Sequence, residues 1–310
     1  MSLVSFVIPC YNSENTIKNV VEDIEKLTEQ RPECSEYEIV LVNDGSKDQT
    51  FSVIRDICKN NPCVIGIDMS RNFGQHAALM AGLNQCAGDI VVCLDDDGQT
   101  PPAEAYKLIE GLNQWDVVFA SYREKKHSTF RRVGSRINSL MLESMLDKPS
   151  DLMVTSYFAA KRYVIDEMIK YTNAFPYVTG LLLRTTNKIG NVEIEHRERA
   201  VGTSGYSLRK LVSLLSNGLT AFSVKPLRIS SYLGIGAIAF GLIYSVWAIY
   251  NKLVNPLAPL GWTTMIIIML VLGGLILFTL GMIGEYIGRI YISLNSSPQY
   301  VLREVIKNDE

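Results

Sequence analysis

Asp95, Asp96 and Asp97 stand in a row directly after the apolar run Ile90 to Leu94. Alternate residues of an extended turn point the same way, so Asp95 and Asp97 present two hard oxygen ligands of the kind Mg²⁺ or Mn²⁺ takes. Taken alone, the tripeptide also fits a solvated acidic loop. Two further acids hold comparable positions: Asp44 follows Ile39 to Val42, and Glu14 comes shortly after Val4 to Ile8. Acids that converge on one edge of a sheet repel one another unless a cation offsets them. The chemistry this pattern suits is binding of a divalent ion together with an anionic substrate.

A second cluster has the opposite sign. From Ser121 to Arg136 the chain carries Arg123, Lys125, Lys126, Arg131, Arg132 and Arg136 against a single Glu124. Arginine offers charge-assisted, forked hydrogen bonds that match a phosphate, although a solvated surface helix has the same composition. His76, His127 and His196 are not spaced as a metal set. The six cysteines all fall at or before Cys93 and include no Cys-x-x-Cys pair, which excludes a zinc or dithiol motif and leaves free, mostly buried thiols. The net charge of the 310 residues is only -2, so nothing in the overall balance calls for nucleic acid.

Elements that would position these groups are legible up to about Ala120. Short apolar runs alternate with helical periodicity: a strand over Val4 to Ile8, a helix from about Asn15, a strand over Glu38 to Val42 and a helix after Asp48. The alternation continues with strands at Cys63 to Asp68, Ile90 to Leu94 and Val117 to Ala120, and helices at Ala77 to Cys86 and Ala103 to Leu112. Strands separated by helices of that length imply an α/β fold with a mostly parallel sheet, whose ligands bind outside the carboxyl ends of the strands.

The last third of the chain changes character. Tyr232 to Tyr250 and Gly261 to Gly284 contain no charged side chain. Each is long enough to cross a hydrocarbon core of about 30 Å as a helix. Ahead of them, Leu208 to Phe222 reads as an amphipathic stretch leading into Pro226-Leu-Arg228, the composition of a helix lying in the membrane interface. Lys225 and Arg228 precede the first apolar stretch and Arg289 follows the second, against Lys252 alone between them. That asymmetry orients both ends, and the N-terminal domain, toward the cytoplasm. Leu3 to Ile8 runs straight into Pro9 with no basic region before it, unlike a secretory signal.

Several short motifs occur in a fixed order: Ile8-Pro-Cys-Tyr-Asn12, Val42-Asn-Asp-Gly-Ser46 with Asp48 and Thr50, Ser70-Arg-Asn-Phe-Gly74, Gly88-Asp89, and Asp95-x-Asp97-x-Gln99 with Pro101-Pro102. Gly202-x-Ser204-x-Tyr206, Phe222-Ser-x-Lys-Pro-Leu-Arg228 and Gly284-Glu-Tyr-Ile-Gly-Arg-Ile-Tyr291 follow. Together they resemble glycosyltransferase family 2, and within it the polyprenyl-phosphate glycosyltransferases, which include dolichol-phosphate mannose synthase-like and bactoprenol glucosyltransferase-like enzymes. The resemblance covers nearly the whole chain.

That resemblance implies a GT-A fold, Rossmann-like, with its catalytic domain over residues 1–206, a juxtamembrane amphipathic region over 207–228, two transmembrane helices over 229–290 and a cytoplasmic tail over 291–310. It implies that Pro9, Tyr11, Asn12, Glu14, Asp44 and Asp96 hold the nucleotide, with uridine the base, while Asp95 and Asp97, with Gln99 beside them, serve Mg²⁺ or Mn²⁺ and the diphosphate. Arg123, Arg131, Ser135 and Arg136 match positions that bind the acceptor phosphate. Where many relatives read Gly-Asp-Phe-Arg, with an Asp proposed as base, this chain has Thr155-Ser-Tyr-Phe158, and Asp151 is the nearest acid. Where relatives often read Ser-Lys-Tyr it has Gly205, which leaves Arg199 as the cation for the donor diphosphate.

The implied activity is inverting transfer of a sugar from a nucleotide-sugar to a polyprenyl phosphate such as undecaprenyl phosphate at the cytoplasmic membrane. A flippase and a further transferase would act downstream, and homo-oligomers are permitted by small residues such as Gly236 and Gly273 in the apolar stretches. Three other readings fit less. A processive polysaccharide synthase generally adds Gln-x-x-Arg-Trp and more spans. A membrane-anchored nucleotide-sugar-binding protein that has lost catalysis is supported only by Ser156. A dinucleotide oxidoreductase lacks its Gly-x-Gly-x-x-Gly after the first strand.

Overall fold

The computed structural model describes residues 2–31, 34–98, 100–122, 148–194, 225–254, 261–295 and 297–307. These divide into two compact units: residues 1–208 together with 296–310, and residues 209–295.

The first unit is built on an eight-stranded sheet. Its strands are β1 (Val4–Cys10), β2 (Tyr37–Asn43), β3 (Val64–Met69), β4 (Ile90–Cys93), β5 (Val117–Tyr122), β6 (Phe158–Lys161), β7 (Ile189–Ile194) and β8 (Leu302–Ile306). They lie in the order β7-β5-β6-β4-β1-β2-β3-β8. The pairs β1–β2, β2–β3, β1–β4 and β5–β7 are parallel, whereas β6 runs antiparallel between β4 and β5 and β8 runs antiparallel at the β3 edge. Every residue of β1 is buried, as continuous apolar runs require when both faces of a sheet are covered.

Helices supply that cover. They are α1 (Ile17–Gln30), α2 (Thr50–Asn60), α3 (Gln75–Gln85), α4 (Ala105–Gly111), α5 (Arg162–Ile169) and α6 (Val178–Thr185). In α1 the buried residues are Ile17, Val20, Val21, Ile24, Leu27 and Thr28, a single stripe at helical spacing that packs into the main core with Phe6, Ile8 and Leu41. α3 lies closer to the sheet. A Cβ at Gly82 would come within 2.5 Å of Val7 Cγ1, so a larger residue there would lift the helix off the strands.

Two strands decide where the site forms. From β1 the sheet grows one way through β2 and β3 and the other way to β4, so the strand order reverses between β1 and β4. At such a switch point the connections leave toward opposite faces and open a crevice outside the carboxyl ends. Loops 11–16 and 94–101 both emerge there.

The second unit holds two long helices, α7 (Lys225–Val254, 30 residues) and α8 (Trp262–Leu294, 33 residues). Their apolar side chains stand largely exposed: Phe240, Ile243, Leu277 and Phe278 each show more than half of their surface. One segment, Val271–Ile292, is long and apolar enough to cross a membrane among the described residues, and Ser230–Tyr244 forms a shorter apolar stretch. The interfacial helix read at Leu208 to Phe222 lies outside the described residues.

The segment read from sequence as a tail contains β8. That strand rejoins the sheet of the first unit beyond β3, with Gly66 opposite Ile306 and Asp68 opposite Glu304.

Candidate active site

Chain direction brings the acids together. β1, β2 and β4 are parallel neighbours, so their carboxyl ends share one edge of the sheet, and each is followed by a loop that carries polar groups. The loop after β1 begins at Tyr11, the loop after β2 at Asp44, and the loop after β4 contains Asp95 to Asp97.

Hydrogen bonds tie these loops to one another. Asp96 accepts from the Tyr11 amide at 3.1 Å and from the Ser13 hydroxyl. Asn12, at φ 55, donates its amide to Ser46 Oγ at 3.0 Å and accepts from the Lys47 amide on Oδ1 at 3.1 Å. Glu14 accepts from the Gln49 amide at 2.8 Å. Asp96, Asn12 and Glu14 thus all act as braces between loops, and the Tyr11 side chain beside them is exposed.

Asp44 is buried and both its oxygens are engaged: Oδ1 accepts from the Phe73 amide at 2.7 Å and Oδ2 from the Gly74 amide at 2.9 Å. Burial raises this carboxyl, and the two amides pull it back. Gly45 makes the approach feasible, because at φ +61 a Cβ there would sit 2.4 Å from the Arg71 carbonyl carbon. Pro9 is buried inside β1, opposite Val42.

Asp95 has the most perturbed environment of the acids. It accepts from Gln75 Nε2 at 2.8 Å and from Ser156 Oγ at 2.5 Å. Burial pushes its carboxyl up to about 6, the Ser156 hydroxyl opposes that rise, and the charges of Asp97 and Asp96 add to it. Asp96 is raised by burial too, against the Ser13 and Tyr11 bonds. The Tyr122 hydroxyl at the end of β5 is pushed up to about 12, by burial first and then by the fields of Asp95 and Asp97. Burial and the mutual repulsion of these acids both disfavour the charged carboxylates here, a condition that a bound cation would relieve.

The donor set suits a hard divalent ion. Among the described residues no group of three or more His, Cys, Asp or Glu side chains forms a ready cage. A Mg²⁺-type site needs only one or two carboxylates when substrate phosphates complete the octahedron. Asp95 and Asp97 meet that requirement.

Ser156 was not singled out from sequence as a contact; it entered only as a departure from an expected acid. The antiparallel strand β6 explains its place, since pairing β6 with β4 puts Phe158 opposite Cys93 and carries the residues before it to the Asp95 loop. Tyr157 fixes that entry, fully buried with its hydroxyl donating to the Pro101 carbonyl at 3.0 Å. Gln75, at the start of α3, was missed as well, and no local signal marks it. Asp151 is exposed in the turn from Pro149 to Leu152. Gln99, Arg123, Arg131, Ser135, Arg136 and Arg199 lie outside the described residues.

Comparison with known proteins adds two domain matches. Residues 5–169 match the model of glycosyl transferase family 2, and residues 225–290 match the GtrB C-terminal hairpin. Among curated proteins, the uncharacterized glycosyltransferase YkcC of Bacillus subtilis (strain 168) is 34% identical over 97% of this chain and 93% of its own length. The undecaprenyl-phosphate 4-deoxy-4-formamido-L-arabinose transferase of Proteus mirabilis (strain HI4320) is 33% identical over 98% of this chain and 94% of its own. Among solved structures, glucosyl-3-phosphoglycerate synthase from Mycobacterium tuberculosis, in complex with Mn²⁺, UDP and phosphoglyceric acid, superposes with a TM-score of 0.54 at 21% identity. That match covers 71% of this chain and 76% of that one, a likeness of fold.

Proposed function

Because this chain belongs to glycosyltransferase family 2, we propose that it transfers a sugar from a uridine-linked donor to undecaprenyl phosphate at the cytoplasmic face of a membrane, with inversion at the anomeric carbon. The observation that carries the reading is the Asp95–Asp97 run at the switch point beside the loops after β1 and β2, where burial raises the Asp95 and Asp96 carboxyls. The lipid acceptor rests on the curated relatives named as undecaprenyl-phosphate transferases, aligned over catalytic unit and hairpin alike.

A nucleoside diphosphate gains negative charge as it departs, and Asp95 and Asp97 would hold a divalent ion that would stabilise that charge without proton transfer. Asp44 and Asp96 tie down the loops after β1 and β2, so the base and ribose meet a preformed surface there. Gln75 and Ser156 each donate to one oxygen of Asp95 and so fix the orientation of its carboxylate. The acceptor is already an anion at neutral pH, so no side chain has to remove a proton from it. Ser156 in place of an acid is compatible with that acceptor. Asp151 remains the candidate for an orienting acid, and Arg123, Arg131, Ser135, Arg136 and Arg199 the candidates for phosphate contacts.

Both apolar helices are assigned as spans. β8 returns to the sheet that β1 to β7 form, so the chain leaves and re-enters one folded unit on either side of the hairpin. A chain that does so crosses a bilayer an even number of times. That return supports reading α7 as a second span beside Val271–Ile292, with the connection between them on the far side.

The test is direct. Purified protein in detergent, undecaprenyl phosphate, Mn²⁺ and a panel of UDP-sugars are combined and the lipids read by mass spectrometry. Glycosylated lipid that disappears with Asp97→Ala supports the reading; metal-dependent UDP binding without lipid product from any donor overturns it in favour of a binding protein.

A further inference from the structure

The strand that follows the helical hairpin does more than cover the β3 edge. β8 pairs with β3 through a bulge: Glu304 lies opposite Asp68 and Leu302 opposite Met69, so Arg303 is the extra residue between them. A bulge of this kind bends the strand and re-aims a side chain. Here the re-aimed side chain is Arg303, whose Nη1 donates to Asp68 Oδ2 at 2.8 Å and whose Nη2 donates to the Ser70 carbonyl at 2.9 Å. The Ser70 amide in turn donates to the Val301 carbonyl at 2.8 Å.

Asp68 is the unusual partner. Its side chain is 3% exposed, while that of Arg303 is 62% exposed, so a carboxylate inside the sheet is satisfied by a guanidinium that reaches in from the surface. Its other oxygen accepts from Asn43 Nδ2 at 2.6 Å. A carboxylate only accepts, so Asn43 must turn its amino group toward Asp68 and its carbonyl oxygen away. That oxygen accepts from the Ser46 amide at 3.2 Å, and Ser46 Oγ accepts from the Asn12 amide at 3.0 Å. A continuous series of hydrogen bonds therefore runs from Arg303 through Asp68 and Asn43 to both loops of the nucleotide site.

The same returning segment grips a second wall. Gln299 is buried and its Nε2 donates to the carbonyls of Tyr171 and Asn173 at 3.2 and 3.0 Å. This turn leads to Tyr177, whose ring meets His76 edge-on at 5.1 Å, next to the Gln75 that holds Asp95.

We propose that Arg303 is a positioning residue for the nucleotide: through Asp68 and Asn43 it sets the Asn12 and Asp44–Ser46 loops, so the donor site is complete only when the C-terminal strand is docked. The inference rests on the donor-site reading above. Without Arg303, Asp68 is a buried carboxylate with only an amide partner, a state that draws it toward water and takes the Asn43 amide with it.

Arg55 provides the matched control, because it pairs at 2.8 Å with Glu304 on the same strand, an exposed carboxylate with no such route to the site. The experiment measures UDP affinity with Mn²⁺ by calorimetry, beside the thermal midpoint, on the full-length protein in detergent. Arg303→Ala is expected to weaken UDP about tenfold and Arg303→Lys by less, since one ammonium reaches Asp68 but does not fork to Ser70. Arg55→Ala is expected to leave UDP affinity within about twofold, whatever it does to the midpoint. Unchanged affinity in folded Arg303→Ala, or equal losses in Arg303→Ala and Arg55→Ala, overturns the proposal. Should Arg303→Ala fail to fold, Arg303→Lys against Arg55→Ala decides in the same way. A wild type that binds no UDP overturns the donor reading itself, an outcome distinct from any difference between the variants.

Discussion

Asp95 carries opposing demands in one carboxyl. With its pKa raised to about 6, the folded chain holds this proton more tightly than an unfolded chain, in which the group titrates near 3.8. Stability therefore falls as pH rises from about 3.8 through 6, and the full cost is present above 6. Asp95→Asn removes that cost: at pH 7.5 and without metal we expect the variant to be more stable by about 1–2 kcal/mol, read by chemical denaturation, with the gain gone below pH 4. The same variant should lose Mn²⁺-dependent activity. In the wild type, apparent Mn²⁺ affinity should fall by about tenfold per pH unit below 6, because the metal competes with one proton. Ser156→Ala deletes a hydrogen bond that lowers Asp95, so the midpoint of that pH dependence should move upward; a midpoint that stays or moves down contradicts the geometry.

At the scale of elements, the turn after β2 is the tightest constraint on the site. Gly45→Ala forces a Cβ into the Arg71 backbone at positive φ, which costs about 1–3 kcal/mol and separates Asp44 from the Phe73 and Gly74 amides. We expect weaker UDP binding together with a lower thermal midpoint, and unchanged binding would show that the approach of these loops is not needed. The parallel half of the sheet was legible because β1 to β4 are buried runs separated by amphipathic helices, a pattern local enough to read one element at a time. β6, β7 and β8 escaped because their partners are remote in sequence. β6 inserts between β4 and β5, and no periodicity in Phe-Ala-Ala-Lys announces it. β8, with exposed Arg303, Glu304 and Val305, has the composition of a solvated tail and becomes a strand only because β3 offers an unpaired edge. The acids were readable as a cluster, since strand ends announce themselves by where the apolar runs stop. Their division of labour was not: that Asp44 spends both oxygens on backbone amides and Asp96 holds the Tyr11 amide and the Ser13 hydroxyl, while Asp95 faces Gln75 and Ser156, depends on loop contacts across tens of residues.

At the scale of the whole molecule, the chain runs from the sheet of the first unit into a helical hairpin and returns to that sheet as β8. If both helices span, a cysteine introduced in the connecting loop, as in Asn255→Cys, should react with an impermeant maleimide added outside intact cells, and one at Lys307→Cys only after lysis. Labelling of both from the same side would place the hairpin on one face of the bilayer. A lipid phosphate whose charge replaces a catalytic base is the core of the proposed function. It is tested most directly by offering one active UDP-sugar with either undecaprenyl phosphate or undecaprenol and following the lipid product. Product is expected with the phosphate alone, dependent on Mn²⁺ or Mg²⁺ and absent in Asp97→Ala. Equal product from the uncharged alcohol would contradict it, because an alcohol requires a base that the Ser156 position does not supply.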